Sequence, residues 1–494
     1  MIHSDQLLHK TLGMSILTED QKAEIHRATL EVLRRTGVRV LSAEVRSILS
    51  DAGCSVTDDR VRMPAHLLDW AVRVAPPRVV LCDRRGAPAM YLEGRKSYFG
   101  TGSDTPFILD PHTGERRRAV LADIVNVSRL VDALKNIDFI MCMGIATDVN
   151  PAISDLYHFE AMVANTTKPV VYTAWNRQNL EDIIQMAESV TGGEAALQLN
   201  PFCALYAEPI APLTHAVESC EKLLYICRKG LPVVYTPGLI TGASSPTTRA
   251  GAVVQANAEL LSGLLICQLI REGTPVVAGA GGMMTMDMST TVGTYGAPEF
   301  MLDWSALCEM GHHYDLPVFG FAGVSDAKTF DQQAGIEGAL WTLVAALAGG
   351  NLIHDVGYLE SGLTTSYEML LAMDEVIGLV KRLVGGMEVS EETLALDLIE
   401  RVGPGGHFLA EKHTVRHCRE NWRPMLMDRD NLEGWESRGS LDLGQRAKRR
   451  VADLLATHQP VPLNAAAATQ LSLIVQTADS RSVIERVGPM GPEG

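Results

Sequence analysis

Eight short β-branched runs, each followed by a helix-length segment, predict a parallel (β/α)8 barrel across residues 97–385 of this 494-residue chain. The runs cover 97–103, 138–146, 169–175, 202–208, 232–238, 275–281, 317–323 and 351–358, and four of the eight are opened by proline. Strands alternating with helical patterns imply βαβ units, and eight such units close a barrel. An open doubly wound sheet is the rival if one run is not a strand. With 46% hydrophobic and 21% charged residues, the chain can bury one large α/β core plus additions.

The flanks read differently. In residues 1–96 a helix spans 18–36, opened by Thr18 with Glu19 and Asp20 in its first turn and closed by Gly37. Strands at 38–40, 61–64 and 78–82 surround a further helix, which makes this region an extension packed on the barrel. Residues 386–494 form a mainly helical region with a Pro/Ala-rich stretch at 459–468 and a Gly-Pro-Met-Gly-Pro-Glu-Gly tail expected to be mobile.

Charge and cysteines narrow the function. Lys plus Arg number 43 against 59 for Asp plus Glu, a net −16 without a basic stripe, which argues against nucleic acid or an anionic membrane as partner. The apolar stretches 260–270 and 339–348 fall short of the roughly 18–20 residues of a spanning helix. No basic or apolar leader opens the chain. Nine scattered cysteines without a C-x-x-C pair fit reduced thiols. The expectation is a soluble, cytoplasmic protein.

Barrel chemistry sits where strands end. The strand ends supply Asp104, Trp175, Tyr206, Glu208, Asp326, Lys328, His354, Asp355 and Tyr358, with glycine-rich segments around Gly238, Gly281, Gly282 and Gly323. A carboxylate beside a tyrosine, as in Tyr206-Ala-Glu208, can hold a quaternary ammonium by charge and cation–π attraction, about 0.5–2 kcal/mol per ring. A structural Glu208, a satisfied barrel His354 and a solvated Lys328 are the alternatives. His407, His413 and His417 include i, i+4 spacing that suits a metal. They lie outside the barrel with no Cys or carboxylate at a familiar spacing, so no metal site is expected.

Several stretches together resemble the trimethylamine methyltransferase (MttB) family. They include 26–38, Arg62-Met-Pro64, Asp110-Pro-His-Thr-Gly-Glu115, Tyr206-Ala-Glu-Pro-Ile-Ala-Pro-Leu213, 325–335, Gly357-Tyr-Leu-Glu-Ser-Gly362, and the His407 and His413 segments, in order from about 15 to 455. The resemblance implies a TIM barrel that moves methyl groups from methylated amines to a corrinoid. Trimethylamine-specific members carry pyrrolysine in the barrel and this sequence shows none. It is therefore similar to the glycine betaine:corrinoid branch, and the expected substrate is a quaternary amine. Such a substrate leaves as a neutral tertiary amine and needs no acid, so no catalytic side chain is assigned.

On this reading Glu208, with Tyr206, Tyr98 and Trp175, holds the trimethylammonium head. Lys328 or His354 pairs with the substrate carboxylate, Asp326 orients them, and Asp104 and Tyr358 support. Gly238, Gly281, Gly282 and Gly323 form the surface for the corrin. The cobalamin arrives on a separate small corrinoid protein, since no Asp-x-His-x-x-Gly segment is present. Self-association is left open. A cobalt-independent lyase or decarboxylase, and a non-enzymatic betaine-binding protein, are the alternatives.

Overall fold

A computed structural model describes residues 12–487, so the terminal tail expected to be mobile lies outside the described residues. Seven parallel strands form one sheet in the order Tyr98–Phe99, Leu352–His354, Val318–Phe321, Val276–Gly279, Val233–Tyr235, Cys203–Ala207 and Val170–Tyr172. The missing stave lies between the two ends. Phe139 bridges Gly100 and Ile140 bridges Val170, both in parallel, which closes an eight-membered barrel. This second stave is short because the Thr101 hydroxyl takes over the ladder, donating to the Met141 carbonyl at 2.7 Å and accepting from the Met141 amide at 2.8 Å.

The barrel floor is closed by the antiparallel hairpin Val79–Cys82 and Pro88–Leu92. Its Val79, Leu81, Met90 and Leu92 pack against Phe139, Val171, Ala204, Val234, Val277, Phe319 and Leu352, one inward residue from each of seven staves. Strand side chains alternate between faces, so the next inward positions lie two residues on and one layer higher.

The mouth is built up by two small sheets. Gly238–Thr241 pairs in parallel with Gly282–Asp287, which pairs antiparallel with Val292–Thr294. The glycine-rich segments around Gly238 and Gly282 are therefore strands rising from the barrel. Opposite them in the chain, Tyr358–Leu359, Thr364–Thr365, Phe107–Leu109 and Arg116–Arg118 form a four-stranded sheet after the eighth and first staves.

The N-terminal helix Glu19–Arg35 begins with a capping box between Thr18 and Gln21 and packs on Arg249–Ile270. Asn257 of that second helix donates to Thr29 at 2.9 Å and to the Tyr314 hydroxyl at 2.8 Å, which ties the extension to the barrel wall. Arg249–Ile270 is long and apolar enough to cross a membrane by length and composition, a helix longer than the 260–270 stretch suggested. Its apolar window is 78% buried inside the fold, the behaviour of a core helix.

Downstream, Leu443–Thr457 packs on Tyr367–Val384 and Leu121–Ala133. The Pro/Ala-rich stretch does not stay irregular: Ala465 starts a helix to Val487 that lies on Arg177–Thr191. All nine cysteines are free, eight of them buried and Cys418 exposed.

Candidate active site

Strand alternation brings Tyr206 and Glu208 to the same inward face. The Tyr206 hydroxyl donates to Glu208 Oε2 at 3.1 Å, and the Glu208 carbonyl accepts from Ser219 at 2.9 Å. Burial is the largest influence on the Glu208 carboxyl and pushes its pKa up, yet the side chain keeps an exposed surface. A group both crowded and reachable faces a concave mouth. Gly238 stands beside it: a Cβ there would lie 3.6 Å from Glu208 Oε2.

Asp104 repeats the pattern. Burial raises its pKa while it stays accessible, and it accepts from the Cys142 thiol at 3.5 Å. Burial, then Asp104 itself, holds Cys142 well above the usual thiol range, so it is a neutral donor. His158 lies near both, with ligand atoms of the three within 4.8 Å. His158 Nε2 accepts from the Ala146 amide at 3.1 Å and burial lowers its pKa to about 4. Neutral thiol and engaged imidazole make this a hydrogen-bonded support for Asp104.

The eighth stave brings His354, Asp355 and Tyr358. The His354 ring lies 4.2 Å from Phe319, 4.5 Å from Phe321 and 6.4 Å from Tyr206, centroid to centroid. Its Nδ1 is 2.8 Å from Asp355 Oδ1, but neither ring nitrogen makes a well-directed hydrogen bond, and both are buried. Asp355 sits at φ +70°, a left-handed conformation uncommon outside glycine. Asp355 and Tyr358 crowd onto Gly102, where any Cβ would overlap both. The Tyr358 hydroxyl is buried without a hydrogen-bond partner.

Two groups were missed by sequence reading. Tyr295 follows the small sheet above the sixth stave; its buried phenol faces Asp355, Glu208 and Asp326, and its amide donates to Asp326 at 2.7 Å. Lys222 lies on helix Val217–Lys229, one turn after Ser219, and donates to the Ala174 carbonyl at 2.8 Å. Burial lowers its pKa, opposed by Glu208, Asp155 and Asp104. Neither lies at a predicted strand end, so no local signal marks them. The mouth thus gathers carboxylates Asp104, Glu208 and Asp355, phenols Tyr206, Tyr295 and Tyr358, the His354 ring, and the Lys222 ammonium at its edge.

Other expected site residues lie elsewhere. Tyr98 pairs in register with Leu352, one layer below His354, and its hydroxyl accepts from the Tyr91 amide of the floor hairpin at 3.1 Å. It belongs to the floor. Asp326 holds loops together: its carboxylate accepts from the Tyr295 and Gly296 amides and from Ser361 at 2.7–2.8 Å. Lys328 is exposed and donates to the Asp326 carbonyl at 2.7 Å. Trp175 is 55% exposed on the rim, its indole donating to Ser154 at 3.0 Å. Of the glycines, only Gly238 presents surface. Gly281 and Gly282 are buried, and Gly323, at φ +62°, packs against Val356 and Met373.

A closed parallel barrel that collects ionisable groups at its strand ends defines an enzyme of the TIM-barrel class. The family model described as trimethylamine methyltransferase (MTTB) matches residues 3–480. A trimethylamine methyltransferase of Desulfitobacterium hafniense (strain DSM 10664 / DCB-2) is 32% identical over 474 residues, covering 95% of each chain. A glycine betaine methyltransferase of Desulfitobacterium hafniense (strain Y51) is 30% identical, covering 93% of this chain and 95% of the relative. Among solved structures, the monomethylamine methyltransferase of Methanosarcina barkeri superposes with a TM-score of 0.51 at 11% identity, covering 91% of this chain and 90% of that one, a likeness of fold. The chain belongs to the trimethylamine methyltransferase family and is a methyltransferase.

Proposed function

We propose that this methyltransferase takes a methyl group from a small quaternary amine, a betaine, and delivers it to a corrinoid carried by a separate small protein in the cytoplasm. The observation that carries this reading is the pair of crowded but accessible carboxylates, Glu208 and Asp104, set among phenols. A buried carboxylate without a cation is costly. A permanent cation that offers no N–H relieves that cost through charge and through the ring faces around it. Lys222, with donors left beyond its bond to Ala174, is the cation placed to meet a substrate carboxylate in place of Lys328.

The corrinoid, when bound, supplies the electron pair that accepts the methyl. The chain's own task is positioning. Glu208 and Tyr206 fix the ammonium, and Tyr295 and Tyr358 wall off water. The methyl to be transferred then points out of the barrel along the C–N axis. On transfer the C–N pair returns to nitrogen and a neutral tertiary amine departs, so no residue has to give a proton. The mouth fits a large flat co-substrate: Gly238 leaves the space over Glu208 open, and Trp175, Ile210, Met288 and Leu363 expose apolar surface on the loops after four different staves. That rim suits a docking protein. Family membership leaves the lyase and the non-enzymatic binder without support.

The test is anaerobic. The protein is mixed with cob(I)alamin and a panel of quaternary and tertiary amines, and the product amine is identified. Methylcobalamin with the demethylated amine from a betaine is the expected outcome. No methyl transfer from any quaternary amine, with the cognate corrinoid protein present, would overturn the proposal.

A further inference from the structure

Outside the barrel, the fold supplies the carboxylate that spacing did not show near the C-terminal histidines. His413 and His417 stand one turn apart on the helix Lys412–His417, with ring centroids 4.3 Å apart. Glu392 reaches them from the helix Glu391–Leu394, whose start is fixed by a capping box between Ser390 and Thr393. One ligand atom from each of the three residues lies within 4.8 Å of the other two. The His413 Nε2 is buried and has no hydrogen-bond partner. Behind His417, Nδ1 is 2.7 Å from Glu420 Oε1, while Nε2 is 3.4 Å from Glu392 Oε1.

We propose that Glu392, His413 and His417 form a binding site for a divalent transition metal of the zinc class, with Glu420 as the carboxylate that orients His417. Two imidazoles and one carboxylate are a recurrent zinc ligand set, and a fourth position is left for water. A carboxylate on the far ring nitrogen is the usual device that fixes the tautomer and turns the other nitrogen to the metal. The ion would draw the ligand atoms closer than they now lie, since zinc–ligand bonds are about 2.0–2.2 Å. It would also displace the Arg416 guanidinium, which pairs with Glu392. His407 is not part of the cluster. The site joins two short helices, Glu391–Leu394 and Lys412–His417, so the metal would clamp the segment between them.

The experiment titrates Zn2+ alone into the full, EDTA-treated chain by calorimetry, with bound metal counted by elemental analysis. One equivalent is expected. Glu392→Gln and His413→Ala should each weaken binding at least about tenfold, and Glu420→Gln roughly tenfold, in line with the effect of outer ligands on zinc sites. Glu392 is exposed, so E392Q is expected to fold as the parent does and keeps the test decisive if H413A does not. Cys418, exposed next to His417, is the competing ligand, and C418S should bind as the parent does. Protection of residues 390–420 from proteolysis by Zn2+, lost in E392Q, is the second readout. No stoichiometric zinc on the parent would overturn the proposal. So would zinc lost in C418S but kept in E392Q.

Discussion

The floor and the mouth of the barrel are made by the same staves and the segments that follow them, and they have opposite chemistry. At the floor, inward residues from seven staves and the plugging hairpin form a closed apolar layer with no exposed member among its buried set. At the mouth, the strand ends and the segments just beyond them carry carboxylates raised by burial, a left-handed aspartate, and a histidine and a tyrosine with unpartnered buried atoms. Unsatisfied polar groups of this kind destabilise a fold by about 1–3 kcal/mol each. The apolar layer thus stabilises a mouth whose polar groups are left short of partners.

Breaking the floor should have the largest effect. Phe319→Ala removes a fully buried ring from that layer and should cost about 3–5 kcal/mol, read as a lower denaturation midpoint. A stability within 1 kcal/mol of the parent would show that the plug is not a cooperative part of the barrel. Breaking the mouth should do the reverse. Glu208→Gln should keep or raise the melting temperature while betaine affinity falls roughly 30–100-fold, the scale of a lost buried charge partner. Equal losses of stability and binding would erase the contrast between the two regions.

Gly102→Ala tests the packing of the mouth directly. The new methyl must displace Asp355 and Tyr358, so turnover should drop about tenfold or more, with little change in how the floor melts. The acid side offers a finer probe. Asp104 and Glu208 have pKa values raised above their unfolded ones, so the folded state holds their protons more tightly. As pH rises from the ordinary carboxylate range through these raised values, the free protein therefore loses stability. On the proposed function betaine binds the ionised forms, so its affinity and its stabilising thermal shift should both grow across that window. A shift independent of pH there would remove the two carboxylates from the binding event. The smallest effect is expected at the rim. Trp175→Ala should leave stability within about 0.5 kcal/mol and change betaine KM less than about threefold, while slowing transfer to the corrinoid protein.

What could be read from sequence follows from what is local. β-branched runs between turn signals marked all eight staves, although the second closes the barrel through only two bridging residues. Glu208 and Tyr206 were legible because strand alternation places them together. Tyr98 was misplaced because its layer depends on register with Leu352, which no local pattern encodes. Lys328 stood in a distinctive segment, but its ammonium folds back onto Asp326, and the cation near the carboxylates is Lys222, in an ordinary amphipathic helix. Three of the four glycines serve packing or backbone turns instead of a docking surface. Glu392 met His413 and His417 only through the fold.

On the proposed function, the mouth selects a permanent positive charge. Calorimetric titration with glycine betaine and with 3,3-dimethylbutanoate, the same shape with carbon in place of the charged nitrogen, tests it most directly. Betaine should bind at least about 30-fold more tightly, a gap that closes in Glu208→Gln. Equal affinity for the two compounds would contradict it.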